Sequence, residues 1–239
     1  MSKLDDLLDD LVAANHILYN EHVVDALGHI SVRDPENPAR FYLARAVAPG
    51  QISRKDLIHY ELDGTALDAD GRSSYLERFI HGEIYRVRPD VNSVMHSHSE
   101  EPIVFGVTGA TLRGLTHMHH LLKDVPIFEI RNCPTNAKGN LLVDTIELGK
   151  ELAKVIGDGP VALMRGHGMV TVGKSIPEAV YRGIYTVQNA RLQSEAMRFN
   201  KPVNFLNDDE LAYHLKGFTS GDYSRPWNLW KEEARRARA

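Results

Sequence analysis

Leu4, Leu7, Leu8, Leu11, Val12 and Leu18 recur at helical spacing, with Asp5, Asp6, Asp9 and Asp10 on the opposite side. This pattern predicts an amphipathic helix at the start of the chain. The aspartates read as a solvated face near a helix N-terminus, where negative charge is favoured, rather than as a metal site. Over 28–62 the pattern changes to short strands and turns, with Gly28-His29-Ile30-Ser31-Val32 and Phe41-Tyr42-Leu43 separated by a proline-rich loop over 34–38. Tyr75, Leu76, Phe79, Ile80, Ile84 and Val87 return to helical spacing, and Pro89 ends that helix by disfavouring α geometry in the residue before it. A strand is predicted over 91–98, another over 125–130, and a helix over 144–156. Two further strands, over 160–164 and 169–172, are joined by Arg165-Gly166-His167-Gly168.

Ser175-Ile176-Pro177-Glu178 has capping-box spacing with proline in the first turn, which predicts a long helix running to about Phe199. Beyond it the chain is polar, and 231–239 reads as a frayed or helical end. This order of elements indicates an α/β fold, a mostly antiparallel sheet flanked by helices; periodicity alone leaves its topology open.

Composition narrows the function classes. The 239 residues are 43% hydrophobic and 25% charged, a globular balance, and no linker-like stretch divides them. A single domain over 1–239 is therefore expected. The net charge of −4 and the lack of a basic run argue against a nucleic-acid partner. The lone Cys133 cannot form an internal disulfide. The acidic N-terminus is unlike a targeting peptide and no apolar run reaches membrane-span length, so a cytoplasmic protein without a membrane partner is expected.

The candidate chemistry begins at His96-Ser97-His98. In a strand, residues i and i+2 share a face, so both imidazoles would project toward one ion. Alone the pair reads as readily as two polar residues on a wet sheet face. His167 strengthens the metal reading, because it sits in a Gly-His-Gly turn where small neighbours permit close approach. Glu77, placed on the preceding helix, returns through Arg88-Pro89-Asp90 into the histidine strand. One carboxylate and three imidazoles can make a metal site with an adjacent acid/base. A cupin also opens on His-x-His, but Glu100 and Glu101 come too early after His98 for its glutamate.

The run Glu77-Arg78-Phe79-Ile80-His81, Tyr85, and Arg88-Pro89-Asp90-Val91-Asn92-Ser93-Val94-Met95-His96-Ser97-His98 resembles the active-site stretch of the class II aldolase/adducin family. Gly166-His167-Gly168, Gly28-His29-Ile30-Ser31 and Ala48-Pro49-Gly50 resemble that family's third-histidine turn and two early substrate loops, and the similarity spans roughly residues 5 to 200. The resemblance implies an αβα sandwich and a homotetramer with active sites between subunits. It implies His96, His98 and His167 as metal ligands, with Glu77 as fourth ligand or catalytic acid/base. It places His29 and Gly50 in substrate loops.

The departures from the family's sugar-phosphate aldolases are specific. His29 stands where they carry asparagine, Pro49 where they carry threonine, and Tyr75-Leu76 where they carry two serines, Ser73-Ser74 being displaced upstream. A phosphate needs converging N–H and O–H donors, which these changes remove. The chain is more similar to the family's aromatic decarboxylases. The expected substrate is an aromatic ortho-hydroxy carboxylate such as 3-hydroxy-2-methylpyridine-4,5-dicarboxylate, from vitamin B6 degradation. The resemblance implies manganese as the divalent metal, with zinc as the alternative.

In that setting His117 is a candidate proton donor or carboxylate binder, against a hydrated interface loop. Arg45 is a candidate carboxylate partner through its planar fork. His81 would orient Glu77 or serve packing, and His119 and His120 have no assigned role. His16, His22, His59 and His214 read as structural or surface residues. The competing functions are a class II aldolase or epimerase acting on a sugar or sugar acid, and a non-enzymatic adducin-like interaction protein.

Overall fold

The computed structural model describes residues 2–136, 139–218 and 223–238; side chains within 215–218 are outside the description. The elements, in order, are α1 (Lys3–Asn20), β1 (His29–Arg33), β2 (Arg40–Ala44), β3 (Leu57–Glu61), α2 (Arg78–Val87), β4 (Ser93–Ser97) and α3 (Glu100–Thr108). They continue as β5 (Ile127–Phe128), α4 (Ile146–Ile156), β6 (Val161–Met164), β7 (Gly168–Gly173), α5 (Ile176–Arg198), α6 (Asp208–Phe218) and α7 (Ser224–Arg236). Seven strands form one sheet in the order β3-β2-β1-β4-β7-β6-β5. All pairs are antiparallel except β5 with β6.

Strand alternation divides the core in two. Ile30, Val32, Met95 and Met169 join α1 and α5 residues such as Leu11, Ile17, Ile184 and Val187 on one face. Phe41, Ile58, Val94, Val170 and Val172 join Ile80, Ile84, Leu148 and Leu152 of α2 and α4 on the other. The result is the expected α/β architecture, an αβα sandwich around a mostly antiparallel sheet. Ser2 caps α1 with the reciprocal Asp5 bond, and Ser175 caps α5 by accepting from the Glu178 N–H. The Glu178 carboxylate turns instead to the Lys174 N–H, so the second half of that predicted box is shifted by one residue.

Three local expectations change or sharpen. Helix α2 starts at Arg78, so Tyr75 and Leu76 precede it and Glu77 is its N-cap residue rather than an interior one. Helices α3 and α6 were not legible as periodic patterns. The end of the chain takes the helical alternative, as α7, and is docked: Trp227 and Trp230 are buried in the α1–α5 core, and Lys231 pairs with Asp10 at 2.6 Å. No helix among the described residues is long and apolar enough to cross a membrane.

Candidate metal centre

The centre gathers at one end of the middle strands. His29 of β1 lies opposite His96 of β4, and β4 continues in antiparallel register to β7, which the His167 turn precedes. His96 shares parity with Val94, so its side chain emerges on the α2 face, where the Glu77 N-cap carboxylate waits. His98 lies one residue beyond the strand end rather than inside it. Gly28, at a φ of +97°, turns the chain into His29 with a backbone that side chains rarely adopt. Gly168 permits a closer approach still, because a Cβ there would lie 2.0 Å from the Ser97 carbonyl oxygen.

Four groups converge: Glu77, His96, His98 and His167 offer ligand atoms all within 4.8 Å of one another. The Nε2 atoms of His96 and His98 are 3.1 Å apart, and those of His98 and His167 are 3.0 Å apart. Glu77 Oε2 faces His167, His96 and His98 at 3.3, 3.5 and 4.0 Å. Its other oxygen accepts the Val143 N–H at 3.0 Å. The His96 Nδ1–H donates to the Met169 carbonyl at 2.9 Å, and the His167 Nδ1–H to the Leu141 carbonyl at 2.8 Å. Those bonds leave the Nε2 lone pairs of both rings directed at the centre, as backbone partners do for metal-binding histidines. Leu141 takes a φ of +62°, uncommon for a bulky residue, and its carbonyl is the one that holds His167.

Imidazole lone pairs converging on a carboxylate at these distances suit a cation and no neutral partner. The residues therefore fit a divalent metal. Burial alone would raise the Glu77 pKa, but the His167 and His96 rings facing it reverse that and hold the carboxyl well below its usual range. His98 is pushed down to about 4, by burial first and then by the two neighbouring imidazoles, so it stays neutral and able to ligate.

The other sequence-predicted residues divide. His29 is buried beside the centre, with its ring 5.2 Å from His96 and 4.6 Å from Tyr75. Arg45 is engaged by Asp56 at 2.6 Å, the guanidinium and carboxylate joining the second loop to β3's entry. Gly50 makes room for the Tyr19 ring, which a Cβ there would meet at 2.9 Å. His117 is exposed in a short 3-10 turn and is not among the groups converging on Glu77. His81 contacts His29 at 2.7 Å rather than orienting Glu77. Of the displaced serines, Ser74 Oγ accepts from the Tyr60 hydroxyl at 2.9 Å, and Ser73 is exposed, with its backbone carbonyl accepting the Ala46 N–H at 2.7 Å.

A cavity of about 590 Å³ opens beside His98, lined also by Asp25, Glu100 and Glu101. Three carboxylates make it a poor seat for an anion. The backbone contacts of Leu141, Val143 and Met169 escaped the sequence reading, because a carbonyl or N–H carries no residue-type signal.

The chain is similar to known proteins along most of its length. Residues 9–194 match the family described as Class II Aldolase and Adducin N-terminal domain. The decarboxylase tropJ of Talaromyces stipitatus is 38% identical over 93% of this chain and 91% of its own. The 3,4-dihydroxyphthalate decarboxylase of Arthrobacter keyseri is 28% identical over 84% of this chain and 83% of its own. Among solved structures, an aldolase II superfamily protein from Pseudomonas syringae superposes with a TM-score of 0.82 at 21% identity, covering 99% of this chain and 95% of that one.

Proposed function

This chain belongs to the class II aldolase/adducin family, and from that premise we propose that it is a metal-dependent decarboxylase of aromatic ortho-hydroxy carboxylates. The observation that carries the reading is the intact Glu77–His96–His98–His167 cluster in a chain similar to decarboxylases along most of its length. The 3,4-dihydroxyphthalate named for one relative and 3-hydroxy-2-methylpyridine-4,5-dicarboxylate share one pattern: a hydroxyl and two carboxylates on three consecutive ring carbons. That pattern is the proposed substrate class. The partly buried Tyr75 ring against buried His29 offers a ring surface and a polar donor, while the Ser74 hydroxyl is engaged by Tyr60.

In this reading His96, His98 and His167 hold the divalent ion, manganese or alternatively zinc. When bound, the ion supplies stabilisation of negative charge on the ring oxygen as the carbon–carbon bond breaks. Glu77, held ionised by its neighbours, first takes the proton of the ring hydroxyl. It then delivers that proton to the carboxylate-bearing carbon, which leaves the carboxylate as that of a β-keto acid, on the carbon next to the ketonised ring carbonyl. The bond to the carboxylate breaks, carbon dioxide leaves, and its electron pair restores the aromatic ring. The ring oxygen regains a proton from solvent, so one proton is consumed per turnover. A homotetramer with sites between subunits belongs to the same reading.

The test is carbon dioxide release from both dicarboxylates by apo-protein reloaded with manganese or zinc, beside a sugar phosphate as competing substrate. Release from at least one dicarboxylate is expected. Cleavage of the sugar phosphate with no carbon dioxide from either acid would replace the decarboxylase by an aldolase.

A further inference from the structure

Behind His29 runs a buried file of hydrogen-bonding side chains that the cluster itself does not use. His29 and Ser31 are alternate residues of β1, and His81 and Tyr85 are one helical turn apart on α2. The i, i+2 step of a strand and the i, i+4 step of a helix cover similar lengths, so the two pairs can interleave. They do so at uniform spacing: His29 Nδ1 to His81 Nε2 is 2.7 Å, His81 Nδ1 to Ser31 Oγ is 2.7 Å, and Ser31 Oγ to Tyr85 Oη is 2.7 Å. All four residues are buried.

Such a file has a direction, set by where its hydrogens can go. At the Tyr85 end the neighbours are donors. The Arg33 guanidinium lies 4.7 Å from the ring centroid, and the Val94 N–H points at the phenol oxygen. Among the described residues the one acceptor for the Tyr85 O–H is Ser31 Oγ. Ser31 then has its own hydrogen to place, and His81 Nδ1 takes it. A neutral His81 must carry its proton on Nε2, which donates to His29 Nδ1. His29, accepting at Nδ1, carries its proton on Nε2.

The opposite direction has one attraction, the Val94 carbonyl, which His81 Nδ1–H could approach. It leaves either the Tyr85 or the Ser31 hydroxyl hydrogen buried with no acceptor, and an orphaned buried donor is costly. The arrangement that places both hydroxyl hydrogens wins: the one hydrogen it leaves outside the file is on His29 Nε2, which is not among the buried unpartnered atoms of the described residues.

We propose that Tyr85, Ser31 and His81 fix His29 as the Nε2–H tautomer, so that His29 offers a neutral N–H donor to an anionic oxygen of the substrate beside the metal centre. His29 would touch substrate; the other three are positioning residues that act through it. Burial, reinforced by the neighbouring His96, lowers the His81 pKa to about 3, and burial pushes Tyr85 above the ordinary phenol range. The file therefore ends on a group that does not release its proton. It holds a tautomer and does not conduct protons from solvent. The substrate part of the inference rests on the decarboxylase reading; the tautomer part does not.

The experiment is ¹⁵N NMR of histidine-labelled, zinc-loaded protein, with His29 assigned through a His29→Gln control. Wild-type protein is expected to show His29 protonated at Nε2 and unprotonated at Nδ1. Tyr85→Phe, which keeps the ring, and Ser31→Ala are both expected to give a tautomer mixture. In each variant KM for 3,4-dihydroxyphthalate should rise about tenfold, the worth of one hydrogen bond, with metal content unchanged. Circular dichroism selects whichever variant keeps the fold. Wild-type His29 protonated at Nδ1, or a Tyr85→Phe protein with an unchanged tautomer, overturns the inference. Failure of every hydroxy-aromatic acid to react overturns the functional reading instead and leaves the NMR result standing.

Discussion

Two parts of this molecule are rich in histidine, and they are built differently. Around Glu77, the His98 Nε2 stands 3.1 Å from that of His96 and 3.0 Å from that of His167. In the 3-10 turn over His117–His119 and on α6, His117 and His120 lie with ring centroids 5.8 and 6.2 Å from His214, and no set of four ligand atoms gathers there among the described residues. Residue content is similar; anchoring is not. In the first group Met169 and Leu141 carbonyls hold the rings from behind, and Gly168 lets β7 close on the end of β4. In the second, His119 Nδ1 meets Thr116 and His120 Nδ1 meets the His117 carbonyl, bonds that stay within the turn. A density of histidines is thus not a site. A site needs backbone from separate segments to aim the rings at one point.

The sharpest way to break this contrast is to remove a ring from each group. His96→Ala, His98→Ala and His167→Ala should each abolish stoichiometric metal retention and activity, whereas His119→Ala should leave metal content unchanged. Elemental analysis of purified protein reads both, and full metal retention in any of the first three would take that residue out of the centre.

Glu77→Gln separates holding from chemistry. Turnover should fall roughly 100- to 10,000-fold, the usual contribution of a general acid–base group, with the fold intact by circular dichroism. Near wild-type turnover would move the proton transfer to another residue, His117 first among them.

Gly168→Ala probes the close approach. The added Cβ meets the Ser97 carbonyl, so the β4–β7 contact must shift. A stability loss of about 1–3 kcal/mol in urea is expected, together with weaker metal retention. A variant as stable as wild type would show that the strands yield there freely.

The smallest effect concerns pH. His81 is lowered to about 3 in the fold, chiefly by burial, against an ordinary value near 6.5. Between those values the unfolded chain binds the extra proton, so stability contributed by neutral His81 is complete above about pH 6.5 and is lost as pH falls toward 3. Moving metal-free protein from pH 7.5 to 5.0 should cost wild type about 2 kcal/mol more than His81→Gln. Equal losses in urea melts would mean that His81 is not held neutral by burial.

Much of this was legible in the chain. Helical spacing placed α1, α4 and α5 within a few residues, and the His-x-His pair with the Gly-His-Gly turn named the three imidazoles that the fold brings together with Glu77. α3 was hidden because Pro102 falls in its first turn and Val104 and Val107 face outward, so no clean apolar stripe forms. Only the second half of α7 was legible, as a helical alternative over 231–239, because its mean composition is polar, although Trp227 and Trp230 anchor it. Glu77 was placed inside a helix because an N-cap residue and a first-turn residue look alike in an apolar pattern.

The sequence by itself determined which side chains could ligate and that a sheet with flanking helices would carry them. Those properties follow from residue type and from periods of two and 3.6 along one chain. Only the tertiary structure decided that Arg45 answers to Asp56, that His81 stands behind His29, and that carbonyls of Leu141 and Met169 aim the imidazoles. Backbone groups are the same at every residue, and a hydrogen bond between segments far apart in sequence leaves no mark on either until packing brings them together.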